Sequence, residues 1–402
     1  MYHVGFAGGA RMGRKRILFT LFLTLFFATV VAPRVFAAQR VVDLTAQDGT
    51  KLKATYFGAD KPGPGVLLLH QCNRQRKVWD GLAQQLATSG INVLTLDYRG
   101  FGESGGVRFD KATPQQVQEL QAKWPNDIDL ALQYLQSQPG VKRDTIGVGG
   151  ASCGVNNSVQ TARRHAEVKS LVLLSGNTDL NGRNFLRNDQ TVPVFLAYAD
   201  DDEFKPSITA IQWIYSLTAN PNKKLVSYPT GGHGADIFPV HPDLPKQIVD
   251  WYVTTLTSTA RKPPARKEAV TMPENIRVLD DIDQPSGAAK VEQRLSEARK
   301  QDPNAMLFDE ATVNFIGYEH MQSGDVKSAI EIFNLNVKAF PKSPNVYDSL
   351  SDAYVADGQK QPAQENAKKA LQLLASDTVD DQQRKTAIKD SAEQKLKQLG
   401  VR

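Results

Sequence analysis

The chain has 402 residues, more than one ordinary domain of roughly 100–200 residues requires, and 41% of them are hydrophobic, enough to bury a sizeable core. Its formal net charge of +5 comes from residues 1–37, which hold five basic side chains and no acidic one. Without that segment, basic and acidic side chains balance at 43 each. The balance gives no electrostatic reason to expect nucleic acid as a partner.

Residues 1–37 have the pattern of an export signal. A basic patch at residues 11–16 precedes an apolar run at residues 17–32, and the small residues Ala37 and Ala38 follow. This order of regions is typical of a secretory signal peptide, with an uncleaved membrane anchor as the alternative. We therefore predict a mature protein that is exported to the periplasm or secreted, has no stable membrane span and can form disulfides.

Residues 38–258 alternate short apolar runs with longer amphipathic stretches, which predicts a mostly parallel sheet flanked by helices and hence an α/β fold. The eight predicted strands are residues 41–45, 52–57, 65–69, 91–96, 145–149, 171–174, 192–197 and 225–228. Four helices are predicted at residues 78–89, 127–136, 155–166 and 243–257.

The remainder of the chain has a different character. Residues 259–285 carry several prolines among charged residues and few aliphatic ones, which predicts a linker. Residues 286–402 have helical periodicity and no strand signals, so we expect a small all-α domain there.

An internal repeat lies within this second domain. A shift of 34 residues superposes Ile316 on Leu350, Gly324 on Gly358 and Ala329 on Ala363. A period of 34, with small residues where paired helices touch, resembles the tetratricopeptide repeat, and we predict two such units. A pair of ordinary helical hairpins is the alternative, because helical periodicity alone is not specific.

Two segments match the G-x-S-x-G pattern of a nucleophile elbow. Residues 150–154 directly follow a predicted strand and lead into a predicted helix, whereas residues 102–106 are separated from their strand by a loop. The chemistry requires a tight strand-to-helix turn, because this turn exposes the serine Oγ and its glycines permit close packing. We therefore predict Ser152 as the nucleophile and assign Ser104 to a glycine-rich loop.

A serine nucleophile needs a base and a carboxylate that orients the base. Of six histidines, His233 lies in a glycine-rich loop just past the last predicted strand, where the chain order Ser, Asp, His places the base. The acid is predicted in the run that follows strand 192–197. We favour Asp201, because an apolar anchor, Phe204, lies three residues later, and rank Asp202 and then Asp200 behind it.

Residues 40–258 resemble an α/β-hydrolase of the dienelactone hydrolase-like group. The resemblance rests on residues 65–71, 96–104 and 150–154. It implies a catalytic triad of Ser152, Asp201 and His233. Dienelactone hydrolases proper use cysteine as nucleophile, so the serine of this chain favours an ordinary ester-cleaving activity.

The same resemblance implies an oxyanion hole formed by the amide of Cys153 and the amide of either Cys72 or Gln71. Many family members have glycine where this chain has Gln71, which could narrow the acyl site. Cys72 and Cys153 are the two cysteines of the chain and both fall on these loops. We hypothesise a disulfide that makes activity redox-dependent, with two small buried thiols as the alternative.

These observations predict an exported serine hydrolase that cleaves a small-molecule carboxylic ester without a metal or organic cofactor. A serine peptidase on the same fold is one alternative. Another is an interaction protein that binds a protein partner through its helical repeats. Segments 105–124 and 177–190 could border the substrate site, but neither is long enough for a large lid, so we expect a fairly open cleft.

Overall fold

The structure is a computed structural model that describes residues 39–257 and 272–400. The predicted signal peptide at residues 1–37 and the first part of the predicted linker lie outside the described residues. Among the described residues, no helix is both long enough and apolar enough to cross a membrane.

One eight-stranded sheet forms the centre of the first domain, as predicted. Its strands are β1 Gln39–Thr45, β2 Lys51–Phe57, β3 Gly63–Leu69, β4 Asn92–Leu96, β5 Val141–Ala151, β6 Val168–Leu174, β7 Val194–Ala199 and β8 Lys223–Tyr228. The spatial order is β1-β2-β4-β3-β5-β6-β7-β8, with antiparallel pairing at β1–β2 and β2–β4 and parallel pairing from β4 to β8. Each predicted strand overlaps an observed one.

Burial along the strands shows which of them are covered on both faces. Every residue of β3 and β4 is buried, as expected for apolar strands with helices on both sides. β1 lies at the edge of the sheet, and in its second half buried and exposed residues alternate. The apolar side chains form one large cluster on each face of the sheet.

The helices of the first domain flank this sheet. They are α1 Asp80–Thr88, α2 Pro114–Ser137, α3 Cys153–Arg164, α4 Leu180–Asn188, α5 Lys205–Leu217, α6 Ile237–Val240 and α7 Asp243–Thr257. Helix α2 begins well before the predicted position near residue 127. Its start is fixed by a capping box, in which the Thr113 side chain accepts from Gln116 N–H and the Gln116 side chain accepts from Thr113 N–H.

The described part of the second region is entirely helical. Its helices are α8 Glu274–Ile282, α9 Gly287–Gln301, α10 Glu310–Gln322, α11 Val326–Ala339, α12 Pro344–Ala356, α13 Lys360–Leu374 and α14 Gln382–Gln398.

Within residues 259–285, where the sequence predicts a linker, the described part from residue 272 onward contains helix α8. Its apolar residues Ile276, Leu279 and Ile282 are buried in the same core cluster as residues of the sheet. Pro273 precedes the first turn of the helix and Pro285 follows its end, so these prolines mark helix boundaries rather than an extended connection.

The repeat region consists of two helical hairpins. Helices α10 and α12 start at residues 310 and 344, and α11 and α13 start at residues 326 and 360, so the helix starts keep the 34-residue offset. Gly317 lies against the Phe333 ring, where an added Cβ would come within 2.6 Å. The small residue is therefore needed for close helix packing, and membership in the tetratricopeptide family stays a prediction.

Candidate active site

The predicted site residues meet at one edge of the sheet. The carboxyl ends of parallel strands lie at the same edge, which is where α/β folds bind ligands. The segments that leave β3, β5, β7 and β8 there carry, in order, Gln71 and Cys72, Ser152 and Cys153, the three aspartates, and His233.

Ser152 occupies a tight turn between β5 and α3. Its φ of 53° lies in the left-handed region, which is uncommon for a residue with a side chain. Space around the turn is minimal, because a Cβ on Gly150 would clash with the carbonyl of Gly154, and one on Gly154 would clash with the carbonyl of Leu69. These contacts explain why glycines flank Ser152, as a nucleophile elbow requires.

The acid beside His233 is Asp202, not Asp201. Nδ1 of His233 lies 3.0 Å from Oδ1 and 2.9 Å from Oδ2 of Asp202, and both side chains are buried. Because an ionised carboxylate only accepts hydrogen bonds, His233 carries its proton on Nδ1 and donates a hydrogen bond from there to Asp202. Nε2 is then the nitrogen available to take a proton from a nucleophile.

Asp202 is held ionised by its neighbours. Its Oδ1 accepts from Phe204 N–H at 2.8 Å, and its Oδ2 accepts from Ser207 Oγ at 2.7 Å. Burial alone would raise the pKa of the Asp202 carboxyl, but the hydrogen bonds from His233, Ser207 and Phe204 outweigh burial and hold this pKa below its ordinary value.

The favoured choice from sequence, Asp201, is therefore corrected. Its side chain is exposed, and its Oδ1 accepts from Gly232 N–H at 2.9 Å, which ties the acid loop to the His233 loop. Asp200 is also exposed. Three adjacent carboxylates carry the same sequence signal, and only the course of the turn determines which one points inward.

Gln71 has a role that the sequence did not reveal. Its fully buried side chain donates through Nε2 to the carbonyl of His233 at 3.1 Å and accepts through Oε1 from Ala235 N–H at 2.8 Å. Arg74, on the same loop, forms two hydrogen bonds of 3.0 and 2.8 Å to Asp236. The loop after β3 is thus fastened to the loop that carries His233.

The structure confirms the hypothesis of a disulfide between Cys72 and Cys153, whose Cα atoms lie 5.9 Å apart. Cys153 is the first residue of α3, where backbone N–H groups have no intrahelical acceptor and can bind an anion. Together with Gln71, the disulfide connects the loop after β3 both to the elbow and to the His233 loop.

Ser104 and His70, which lie near the site, have structural roles. Ser104 Oγ donates to the Asp97 carbonyl at 2.7 Å and accepts from Lys53 N–H at 2.8 Å, as expected for a loop serine. His70 accepts from Tyr98 N–H through Nε2 and donates through Nδ1 to the Gln71 carbonyl, and burial lowers the pKa of His70 to about 4. No group of three or more His, Cys, Asp or Glu suited to a metal ion occurs in residues 39–257 and 272–400.

Ser152 and His233 line one cavity of about 690 Å³, which we call the Ser152 cavity. Its lining is mostly apolar and includes Phe204, whose ring centroid lies 4.8 Å from that of His233. One side is formed by Leu279 of α8 and by Ala311, Thr312, Phe315 and Ile316 of α10, which we call the helical wall. Of the two segments expected to border the site, 177–190 contributes Asn177 to the lining and 105–124 contributes no residue, whereas helices far along the chain also line the cavity.

Comparison with known proteins gives matches to parts of this chain. Residues 52–236 match the dienelactone hydrolase family. Thiohydrolase aneE of Aspergillus aculeatus is 26% identical over 134 residues, covering 33% of this chain and 39% of that protein. YfhR of Escherichia coli is 24% identical over 244 residues, and the match covers 54% of this chain and 81% of YfhR. Mitochondrial acyl-coenzyme A thioesterase 2 of Mus musculus is 24% identical over 166 residues, and the match covers 41% of this chain and 34% of the thioesterase. The chain thus spans less than half the length of the thiohydrolase and of the thioesterase.

Similar solved structures cover about half of the chain. Esterase Pf2001 of Pyrococcus furiosus is 19% identical, with a TM-score of 0.44, and the match covers 55% of this chain and 92% of that one. A dienelactone hydrolase from Anabaena variabilis is 18% identical, with a TM-score of 0.43, covering 55% and 99%. Residues 52–236 are thus similar to the dienelactone hydrolase family, and the sheet that they form has the α/β-hydrolase fold.

Proposed function

We propose that this protein is a serine hydrolase with a triad of Ser152, His233 and Asp202. Ser152 Oγ attacks the substrate carbonyl while His233 Nε2 takes its proton, and Asp202 orients and stabilises the resulting imidazolium. The observation that carries the proposal is the buried Asp202–His233 pair, which lies at the same cavity as the strained elbow of Ser152.

The tetrahedral intermediate requires donors for its oxyanion. We assign these to the backbone amide of Cys153 and to that of Cys72, with Gln71 as the alternative on the same loop. The disulfide supports the assignment, because it holds the two donor loops together. Breakdown of the acyl-enzyme repeats the sequence with water, and His233 again acts as base.

Carboxylic esters are the proposed substrates, with thioesters as a second candidate class. The thioester proposal rests on two relatives that are by name a thiohydrolase and an acyl-coenzyme A thioesterase. A serine peptidase uses the same acyl transfer to water and remains the alternative on this fold. Cleavage of each class can use the same triad, so the triad alone does not distinguish among them.

Export of the protein is also proposed, from the pattern of residues 1–37. The Cys72–Cys153 disulfide supports it, because disulfides persist mainly in oxidising compartments. Binding of a protein partner by the helical hairpins is proposed on the resemblance of their period to the tetratricopeptide repeat.

A substrate panel tests the proposed function. The full chain, Ser152→Ala and the matched control Ser104→Ala are assayed with a 4-nitrophenyl ester, an acyl thioester and a chromogenic peptide. We expect ester or thioester hydrolysis by the wild type and by Ser104→Ala, and at least about 10³-fold less by Ser152→Ala. Equal hydrolysis by all three proteins would contradict the triad, and faster cleavage of the peptide would favour the peptidase.

A further inference from the structure

The helical region contributes directly to the candidate active site. Leu279 of α8 and Phe315 of α10 line the same cavity as Ser152 and His233, although they follow the hydrolase domain in the sequence. The helical wall is therefore a part of the enclosure around the nucleophile, rather than a separate surface elsewhere on the chain.

The wall is fixed to the hydrolase domain by buried ion pairs. Arg183 of α4 is fully buried, and its guanidinium lies 2.6 Å from Asp283, the residue after α8, and 2.7 Å from Glu319 of α10. Trp213 of α5 donates from its indole N–H to Asp280 at 2.8 Å. Removing one partner of a buried pair is costly, so these contacts hold α8 and α10 in place.

Apolar packing continues across the same boundary. Ile276, Leu279 and Ile282 of α8 and Val313 and Ile316 of α10 belong to one core cluster with residues of the sheet. The helical wall is thus packed against the core of the sheet, and this packing fixes the shape of the Ser152 cavity.

The surface chemistry of the cavity indicates what it binds. Among the described residues, the exposed phenylalanines are Phe204 and Phe315, each 53% exposed, and both line this cavity. Exposed aromatic side chains gathered at one concave site mark a place where an apolar ligand removes surface from water. At the edge of the wall, the Asp309 carboxylate accepts a hydrogen bond from Thr312 N–H at 2.8 Å.

We propose that the helical wall is the acyl-chain site of the enzyme and that it selects esters or thioesters of flexible aliphatic acids. This inference rests on the proposed hydrolase function and names its substrate class. A volume of about 690 Å³ lies within the range of about 300–1,000 Å³ that holds a drug-sized ligand, far more than an acetyl group requires. Each additional methylene of the acyl chain that leaves water and contacts the wall then favours binding of a substrate with a longer acyl chain.

A chain-length series tests the proposal. The full chain is assayed with 4-nitrophenyl acetate, butyrate, octanoate and laurate, and kcat/KM is compared across the series. We expect kcat/KM to rise by about tenfold or more from acetate to octanoate. Ala311 is exposed at the first turn of α10, so Ala311→Trp adds bulk to the wall without filling the core. This variant should lower kcat/KM for octanoate by about tenfold relative to acetate.

A second variant and a control keep the test decisive. Phe315→Ala removes apolar surface from the wall and should also reduce the rise of kcat/KM with chain length. Val355 is an exposed residue of α12 outside the cavity lining, so Val355→Ala should leave the dependence of kcat/KM on chain length unchanged. A wild-type preference for acetate, or one profile shared by all variants, would overturn the acyl-site proposal while Ser152-dependent hydrolysis still supported the proposed function. Absence of Ser152-dependent hydrolysis of every ester would overturn both.

Discussion

Asp202 and His233 form the buried hydrogen-bonded pair at the centre of the candidate site, with 2.9 Å between Oδ2 of Asp202 and Nδ1 of His233. The neighbouring carboxylate, Asp201, faces solvent and accepts from the backbone of Gly232 instead. One residue of sequence therefore separates a carboxylate that can orient the base from one that only ties two loops together.

This difference predicts unequal effects of two matched substitutions. Asp202→Asn removes the charge that stabilises the imidazolium and should lower kcat for a small ester by about 10²–10⁴-fold. Asp201→Asn keeps an acceptor for Gly232 N–H and should change kcat by less than about threefold. Steady-state kinetics of both variants checks this, and a larger loss in Asp201→Asn would indicate that Asp201 is the acid of the triad.

The Cys72–Cys153 disulfide predicts redox-dependent activity. The bond closes a long loop, with 81 residues of sequence separation, so its loss should lower the free energy of unfolding by about 2–4 kcal/mol. The double variant Cys72→Ser, Cys153→Ser should also lower kcat, because the two proposed oxyanion donors are then no longer tied together.

Urea unfolding and ester kinetics measure the two effects of this double variant. Thiol treatment of the wild type should reproduce the loss of activity, whereas the same treatment of the variant should have no effect. Alkylation of both cysteines in the unreduced, denatured wild type, seen by mass spectrometry, would show that the bond does not form.

The contacts of Gln71 with the His233 loop predict that Gln71, although outside the proposed triad, positions His233. Gln71→Ala leaves the buried Ala235 N–H without its acceptor, which costs about 1–3 kcal/mol, and frees the His233 loop. We expect kcat to fall by roughly tenfold with a smaller change in KM, because misplacement affects the chemical step most. The exposed neighbour Gln75→Ala is the control, and equal kinetics of the two variants would exclude a positioning role.

The ion-pair network behind the helical wall predicts a pH dependence of stability. Burial raises the pKa of Glu319 to about 7, although the Arg183 guanidinium at 2.7 Å opposes this rise, while the carboxylates of Asp283 and Asp179 add to it. In the unfolded chain the pKa of a glutamate is about 4.3. Between these values the folded chain binds one proton more than the unfolded chain, so the free energy of unfolding falls as pH rises.

The magnitude expected from Glu319 is about 1–3 kcal/mol between about pH 4.3 and 7. Glu319→Gln removes this contribution, so its free energy of unfolding should decline less over that interval than that of the wild type. Glu331→Gln, at an exposed position of α11, is the matched control and should follow the wild type. Parallel curves for all three proteins in urea unfolding would contradict the prediction.

Sequence signals identified the parts of the site that depend on local structure. The elbow around Ser152 and the loop of His233 could be predicted, because glycines and a preceding apolar strand mark each of them within a few residues. The choice between Asp201 and Asp202 could not, because it depends on the backbone course of one turn.

Long-range packing was harder to predict than local structure. Helix α8 lies in a segment whose prolines predict a linker, although the helix also has an apolar face. Contact of Leu279 and Phe315 with the Ser152 cavity has no local signal in the sequence. Helix α5, whose Trp213 also lines the cavity, was not predicted either. Contacts of this kind arise only when distant helices pack on the sheet.

The most direct test of the proposed triad is covalent labelling by a fluorophosphonate probe. The probe reacts with a serine only when a base activates it, so it reports the chemistry without a known substrate. Full-length wild type, Ser152→Ala and Ser104→Ala are compared at equal concentration. We expect labelling of the wild type and of Ser104→Ala, and none of Ser152→Ala. Equal labelling of all three proteins, or of none, would contradict Ser152 as the activated nucleophile.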